Sequence, residues 1–268
     1  MSKAITTQLA ATDSVMAAII QAAGPYHLTP ELTCEPFEAL SRAIAHQQLH
    51  ATAAGHILKR FIEACGHGSY PTAETVLATA DAVLRAVGFS FSKIASVKDL
   101  AAKTLDGTVP KRESLVDLSD DEIIERLTKV RGIGRWTVEM MLMFQLGRPD
   151  VLPVDDFGVR AGFRFAYGLR KAPSPRALAL FGQRWAPNRT AAAWYLWRAI
   201  ELKKAGALPE PAERIRLPRV IRKRRKEATR RRQKSRLLPP ATKLRSAKAP
   251  RAKLADRVRK VRRKRARK

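Results

Sequence analysis

The stretch Leu127-Thr128-Lys129-Val130-Arg131-Gly132-Ile133-Gly134-Arg135-Trp136-Thr137 sets two glycines, one residue apart, between two apolar-periodic runs. Upstream, Ser119 stands three residues before Glu122, the spacing of a capping box that opens a helix. Ile123, Ile124 and Leu127 then fall on one face of that helix. Downstream, Val138-Glu139-Met140-Met141-Leu142-Met143-Phe144 continues a second helical period toward Gly147, a residue type suited to the left-handed position just past a helix end. Gly132 and Gly134 are therefore expected in a tight hairpin between two helices, where the turn needs backbone without Cβ. The amides that open the second helix have no acceptor within it, and the helix dipole makes that end a seat for phosphate.

Two glycines alone fit a plain packing turn equally well. The neighbourhood adds hydrophobes that lock both helices (Leu127, Val130, Ile133) and three cations around the turn (Lys129, Arg131, Arg135). Taken over residues 121–146, the pattern resembles the helix-hairpin-helix DNA-binding element. That resemblance implies a grip on DNA phosphates without sequence preference, made around Arg131, Gly132, Gly134 and Arg135.

Charge points the same way. The 268 residues carry 52 Lys and Arg against 24 Asp and Glu, a formal +28, which calls for a polyanionic partner. From Pro211 to Lys268 there are 27 basic residues and three acids, so this segment holds +24 and the preceding 210 residues only +4. Aromatics vanish from about Pro209, and a segment of that composition buries too little apolar surface to order itself. The expected organisation is thus a helical domain over residues 1–208 and a disordered Lys/Arg-rich tail over 209–268. Cys34 and Cys65 are too few for a disulfide framework and read as buried thiols of a reducing compartment. No stretch has the length of a membrane span and the N-terminus lacks a signal pattern, so a cytoplasmic, monomeric protein with no membrane association is expected.

Along the chain, an Ala-rich amphipathic run spans Ala10–Ala23, and a long helix is expected from Pro36 to Cys65. In the middle of that helix lies His46-Gln47-Gln48-Leu49-His50, either a solvated face or a polar tip that meets base edges. Helices are expected at roughly 73–86 and 93–105, and again through Phe163, Phe165 and Leu169 and after Pro187. No run alternates with period two, so the fold class is all-α.

Asp155-Asp156, two residues after Pro153, is the acidic pair placed for chemistry. By itself it also fits ordinary capping of the next helix. A Gly-x-Gly hairpin followed some twenty residues later by Pro-x-Asp-Asp resembles the helix-hairpin-helix glycosylase superfamily. Arg42-Ala43-Ile44 with Gln47-Gln48-Leu49, Gly88-Phe89-Ser90 with Lys93, Arg135-Trp136-Thr137 and Ala193-Trp194-Tyr195-Leu196-Trp197-Arg198 resemble its alkylpurine branch, the DNA-3-methyladenine glycosylase II enzymes. The likeness spans roughly residues 12–205 and implies a two-lobed, compact helical fold without the additional N-terminal β-lobe of some members.

Carried onto these positions, the resemblance makes Asp156 the catalytic carboxylate and leaves Asp155 as the helix cap. It places Trp136, Met140, Phe157 and Trp197 around an everted base, and Gln48, or else Leu49, in the gap left in the duplex. Met140 departs from the aromatic residue some relatives have there. In the bifunctional members a lysine stands where this chain has Trp136, so hydrolysis without strand cleavage is expected. No cofactor is implied for the chemistry. The backbone carbonyls of Thr128, Val130 and Ile133 match a structural Na+ or K+ site, and the five histidines show no zinc-ligand spacing. The implied substrate is double-stranded DNA carrying alkylated purines such as 3-methyladenine and 7-methylguanine. Two other readings remain open from sequence: a non-enzymatic DNA-compacting protein acting through charge alone, and a glycosylase for etheno or deaminated purines.

Overall fold

Six polar side chains open six helices by accepting a hydrogen bond from the backbone N–H two or three residues on: Asp13, Thr72, Ser90, Ser119, Asp156 and Ser174. The computed structural model describes residues 2–211, 215 and 217, and among them there is no strand. The helices are α1 (Ser2–Thr12), α2 (Ser14–Ala23), α3 (Pro36–His46), α4 (Ala51–Gly66), α5 (Ala73–Ala78), α6 (Asp81–Ala86) and α7 (Phe91–Leu105). They continue as α8 (Arg112–Leu115), α9 (Asp120–Leu127), α10 (Arg135–Phe144), α11 (Phe157–Ala166), α12 (Pro175–Phe181) and α13 (Arg189–Lys204), with a 3-10 turn at Gly182–Trp185. The fold is all-α. None of these helices is long and apolar enough to cross a membrane.

Two groups of helices share one apolar core. α3 packs on α4, α7 and α10, with α5 and α6 against α7 and α9 against α10. The other group joins the two ends of the described chain: α2, α11 and the 3-10 turn all pack on α13, and α1 packs on α2. Gly162 makes the α11–α13 contact, since a Cβ there would lie 1.8 Å from the Leu196 carbonyl oxygen. Asp13 fastens α2 into the same group. Its buried carboxylate accepts from the amides of Val15 and Met16, from Tyr167 Oη at 2.6 Å and from Trp185 Nε1 at 3.0 Å.

Several sequence expectations need correction. The run over 10–23 is broken at Asp13, because its carboxylate caps a new helix instead of continuing the old one. The helix expected from Pro36 to Cys65 is two helices. α3 stops at His46, Gln48 takes a left-handed φ of +59°, and α4 starts at Ala51. The helix expected at 73–86 breaks at Thr79–Ala80, whose backbone is extended. The second helix of the hairpin ends at Phe144, and Gly147, with φ +65°, turns the chain two residues beyond the cap at Gln145. Most of the predicted basic tail lies outside the described residues, yet Ile215 and Leu217 within it pack partly buried against the core. Cys34 and Cys65 are buried free thiols.

Candidate active site

The hairpin forms as the spacing requires. Ser119 and Glu122 exchange the two hydrogen bonds of the capping box, and Ile123, Ile124 and Leu127 are buried. Gly132 has φ +78°, and a Cβ on it would meet Ser96 Oγ at 2.6 Å, so both backbone and space demand glycine. Gly134 is the N-cap of α10. The amides of Gly134, Arg135 and Trp136 have no acceptor among the described residues, whereas the Arg131 amide is taken by Asp99 Oδ2 at 2.7 Å. Val130 and Ile133 are buried beneath the turn.

The break between α3 and α4 is docked onto this turn. Gln47 Nε2 donates to the Gly132 carbonyl at 2.8 Å, and Lys93 Nζ donates to the Ala45 carbonyl at 2.7 Å. Burial of that ammonium pushes the Lys93 pKa below its ordinary value. Gln48, Leu49 and His50 are left exposed at the tip. A cavity of about 550 Å³ lies between α3 and α10, lined among others by Arg42, His46, Gln48, Gly132, Trp136 and Met140.

Asp156 sits one α10 side chain away from this cavity. It is the N-cap of α11, its Oδ1 accepting from Val159 N at 2.6 Å. This corrects the expectation that Asp155 would be the cap: Asp155 is exposed, and its neighbour does the capping. Oδ1 also accepts from Trp197 Nε1 at 2.9 Å, and Oδ2 accepts from Trp136 Nε1 at 2.9 Å. Three N–H groups supply the solvation that a carboxylate otherwise takes from water. The structure therefore brings Asp156, Trp136 and Trp197 together, with the indole edges facing the carboxylate. Met140 shares the cavity with Trp136. Phe157 stands apart, 84% exposed, with no side-chain packing partner among the described aromatic rings.

Two features of the site escape a reading of the sequence. Glu139 is only 4% exposed, and its Oε1 accepts from Arg135 Nε at 2.9 Å. Burial raises its pKa, the Arg135 guanidinium opposes the rise, and Asp155 and Asp156 add to it. Arg135, one of the expected phosphate contacts, is paired with Glu139 and Asp121 (3.6 Å) and stays half-exposed, and Arg131 is exposed. The spacing of Arg135 and Glu139, four apart on a helix, was the signal available. The second feature is Gln47, whose partner is 85 residues away and leaves no local trace.

Residues 41–188 match the model of the HhH-GPD superfamily base excision DNA repair proteins. The chain is 46% identical to DNA-3-methyladenine glycosylase 1 of Schizosaccharomyces pombe over 168 residues, covering 63% of this chain and 74% of that protein. Among solved structures, it resembles the S. pombe 3-methyladenine DNA glycosylase in complex with abasic DNA, with TM-score 0.66 and 42% identity over 72% of this chain and 95% of that one. It also resembles a DNA-3-methyladenine glycosidase from Bacillus halodurans, with TM-score 0.68 and 32% identity over 75% and 91% of the two chains. The hairpin, the capped aspartate and these likenesses cover the same helices, and the chain belongs to the HhH-GPD superfamily of base excision DNA repair proteins.

Proposed function

We propose that this protein is a monofunctional DNA glycosylase that hydrolyses the N-glycosidic bond of alkylated purines, 3-methyladenine and 7-methylguanine, in double-stranded DNA. The observation that carries the reading is the Asp156 carboxylate, held by three N–H donors at a helix start beside an indole-edged cavity. A packing turn or a charge-driven compacting protein needs no such group next to a DNA-binding hairpin.

A base inside the duplex is out of reach, so the target nucleotide turns out of the stack. The exposed tip at Gln48 and Leu49 stands ready to fill the gap, and the free amides from Gly134 to Trp136 receive a phosphate. The C1′–N bond then breaks with its electron pair leaving on the base. A purine already cationic from alkylation departs neutral, so little acid catalysis is needed. The sugar becomes oxocarbenium-like, and the fixed negative charge of Asp156 stabilises it more than the neutral ground state. Water adds at C1′, oriented by the same carboxylate, and its proton is released. Trp136 occupies the place where a lysine nucleophile stands in the lyases, so the product is an intact abasic site. The indole faces of Trp136 and Trp197, with Met140 beside Trp136, favour a cationic purine over a neutral one by about 1–2 kcal/mol.

The carbonyls of Thr128, Val130 and Ile133 suit a Na+ or K+ ion. Those of Thr128 and Ile133 accept no hydrogen bond among the described residues, and that of Val130 accepts one, from Ile133 N at 3.1 Å. Hard neutral oxygens are the donors such an ion takes. When bound, it supplies positive charge beside a DNA phosphate.

The test is to incubate the full chain with methylated DNA and separate the released bases by chromatography. Free 3-methyladenine and 7-methylguanine are expected. Tight DNA binding without base release would mark a compacting protein, and release confined to etheno or deaminated purines in a panel of oligonucleotides would move the substrate class.

A further inference from the structure

The three donors on Asp156 are divided unequally. Oδ1 takes two, the Val159 amide in the first turn of α11 and the Trp197 indole N–H from α13. Both belong to the scaffold, and the Trp197 ring is itself stacked on Phe144 at 6.0 Å between centroids. Oδ2 takes one, from Trp136, a ring 47% exposed at the cavity. One oxygen is thus saturated by fixed groups. The other keeps a lone pair, and its single partner stands where a nucleoside would enter.

Residue 158 supplies a second, separate observation. A Cβ on Gly158 would lie 2.8 Å from Trp197 Cδ1, 2.9 Å from Trp197 Nε1 and 3.0 Å from Asp156 Oδ1. It would stand against both ends of the Trp197–Asp156 hydrogen bond. The backbone gives no reason for glycine here, since Gly158 has no left-handed φ and lies inside α11, where alanine is the better helix former. The missing side chain is explained by the room that the indole needs.

We propose that Gly158 and Trp197 are positioning residues: they clamp Oδ1 of Asp156 so that Oδ2 is the oxygen presented to C1′ of the everted nucleotide. The assignment rests on the glycosylase reading above. Trp197 then acts through its N–H edge as well as through its face. Displacing a reacting group by about 1 Å costs on the order of 100-fold in rate, so loss of the clamp affects the chemical step and leaves the grip on DNA alone.

The experiment compares the full chain with Gly158→Ala, Trp197→Phe and the double variant. It measures the single-turnover rate of base release from methylated duplex and the affinity for duplex containing an abasic site. Each single variant is expected to slow release by about 10–100-fold, with DNA affinity unchanged. Because both break one hydrogen bond, the double variant should be no slower than the slower single one. A Gly158→Ala protein that works at the wild-type rate, or single losses that multiply in the double variant, overturns the assignment. Should Gly158→Ala lose its helical circular dichroism, Trp197→Phe decides alone: a slower rate at constant affinity supports the clamp, and weaker affinity at constant rate reduces Trp197 to a pocket wall. An inert wild-type protein fails the glycosylase reading itself, whereas an active wild type with an equally active Gly158→Ala variant fails only this inference.

Discussion

Asp156 holds two positions at once, helix cap and reacting anion, and the two are separable by substitution. Asparagine keeps an oxygen for the Val159 amide and is as good a cap as aspartate, so Asp156→Asn is expected to fold and to bind DNA. It removes the negative charge, and base release should fall by on the order of 100- to 1,000-fold or more. Asp155→Asn, exposed and without a cap to lose, should release base at close to the wild-type rate. Equal losses in both variants, with folding intact, would put the working charge on the pair and remove it from Asp156. The acidic pair itself is legible in the sequence beside its proline. Which member caps the helix is not, because the two differ only in the direction their side chains take once α11 has packed on α13.

At the scale of elements, α10 carries a buried carboxylate whose charge is opposed by burial and by two neighbouring acids. Because the folded-state pKa of Glu139 is raised, the protein binds this proton more tightly folded than unfolded. Stability from that group is present at low pH and is lost as pH rises through the folded pKa. Glu139→Gln removes the effect, so its melting temperature relative to wild type should be higher at pH 7 than at pH 4. A difference that is flat or reversed with pH would show that the Arg135 pair fully offsets the burial. The α11–α13 contact makes a sharper prediction. Gly162→Ala drives a methyl into the Leu196 carbonyl, a backbone atom with nowhere to go, and should cost about 3 kcal/mol or more in denaturant unfolding. A change under about 1 kcal/mol would mean that the two helices separate easily.

Over the whole molecule, charge and chemistry are carried by different parts of the chain. Residues 1–210 have a formal charge of only +4, and residues 218–268 hold 25 of the 52 Lys and Arg. Cutting after Leu217 preserves the packing of Ile215 and Leu217 on the core. The truncated protein should lose affinity for duplex at low salt, and the slope of log affinity against log salt should flatten, because fewer counterions are released. Release from a saturating short substrate should be spared. Abolished turnover at saturation would instead make the basic segment part of the reacting site.

The helix start at Ser119, the hairpin glycines and the all-helical class are settled by the sequence alone, because caps, turns and apolar periods are written within four residues of one another. The same locality explains the misreadings. A period continued through His46–His50 suggests one helix, and nothing local announces that Gln47 will instead reach the Gly132 carbonyl. Tertiary structure alone decided that Asp13 would anchor Tyr167 and Trp185, that Glu139 would be buried on Arg135, and that two indoles 20 and 41 residues from Asp156 would aim their N–H groups at it. Such contacts arise only when separate helices close on one core, and a side chain's direction at that moment is a property of its neighbours and not of its own stretch of chain.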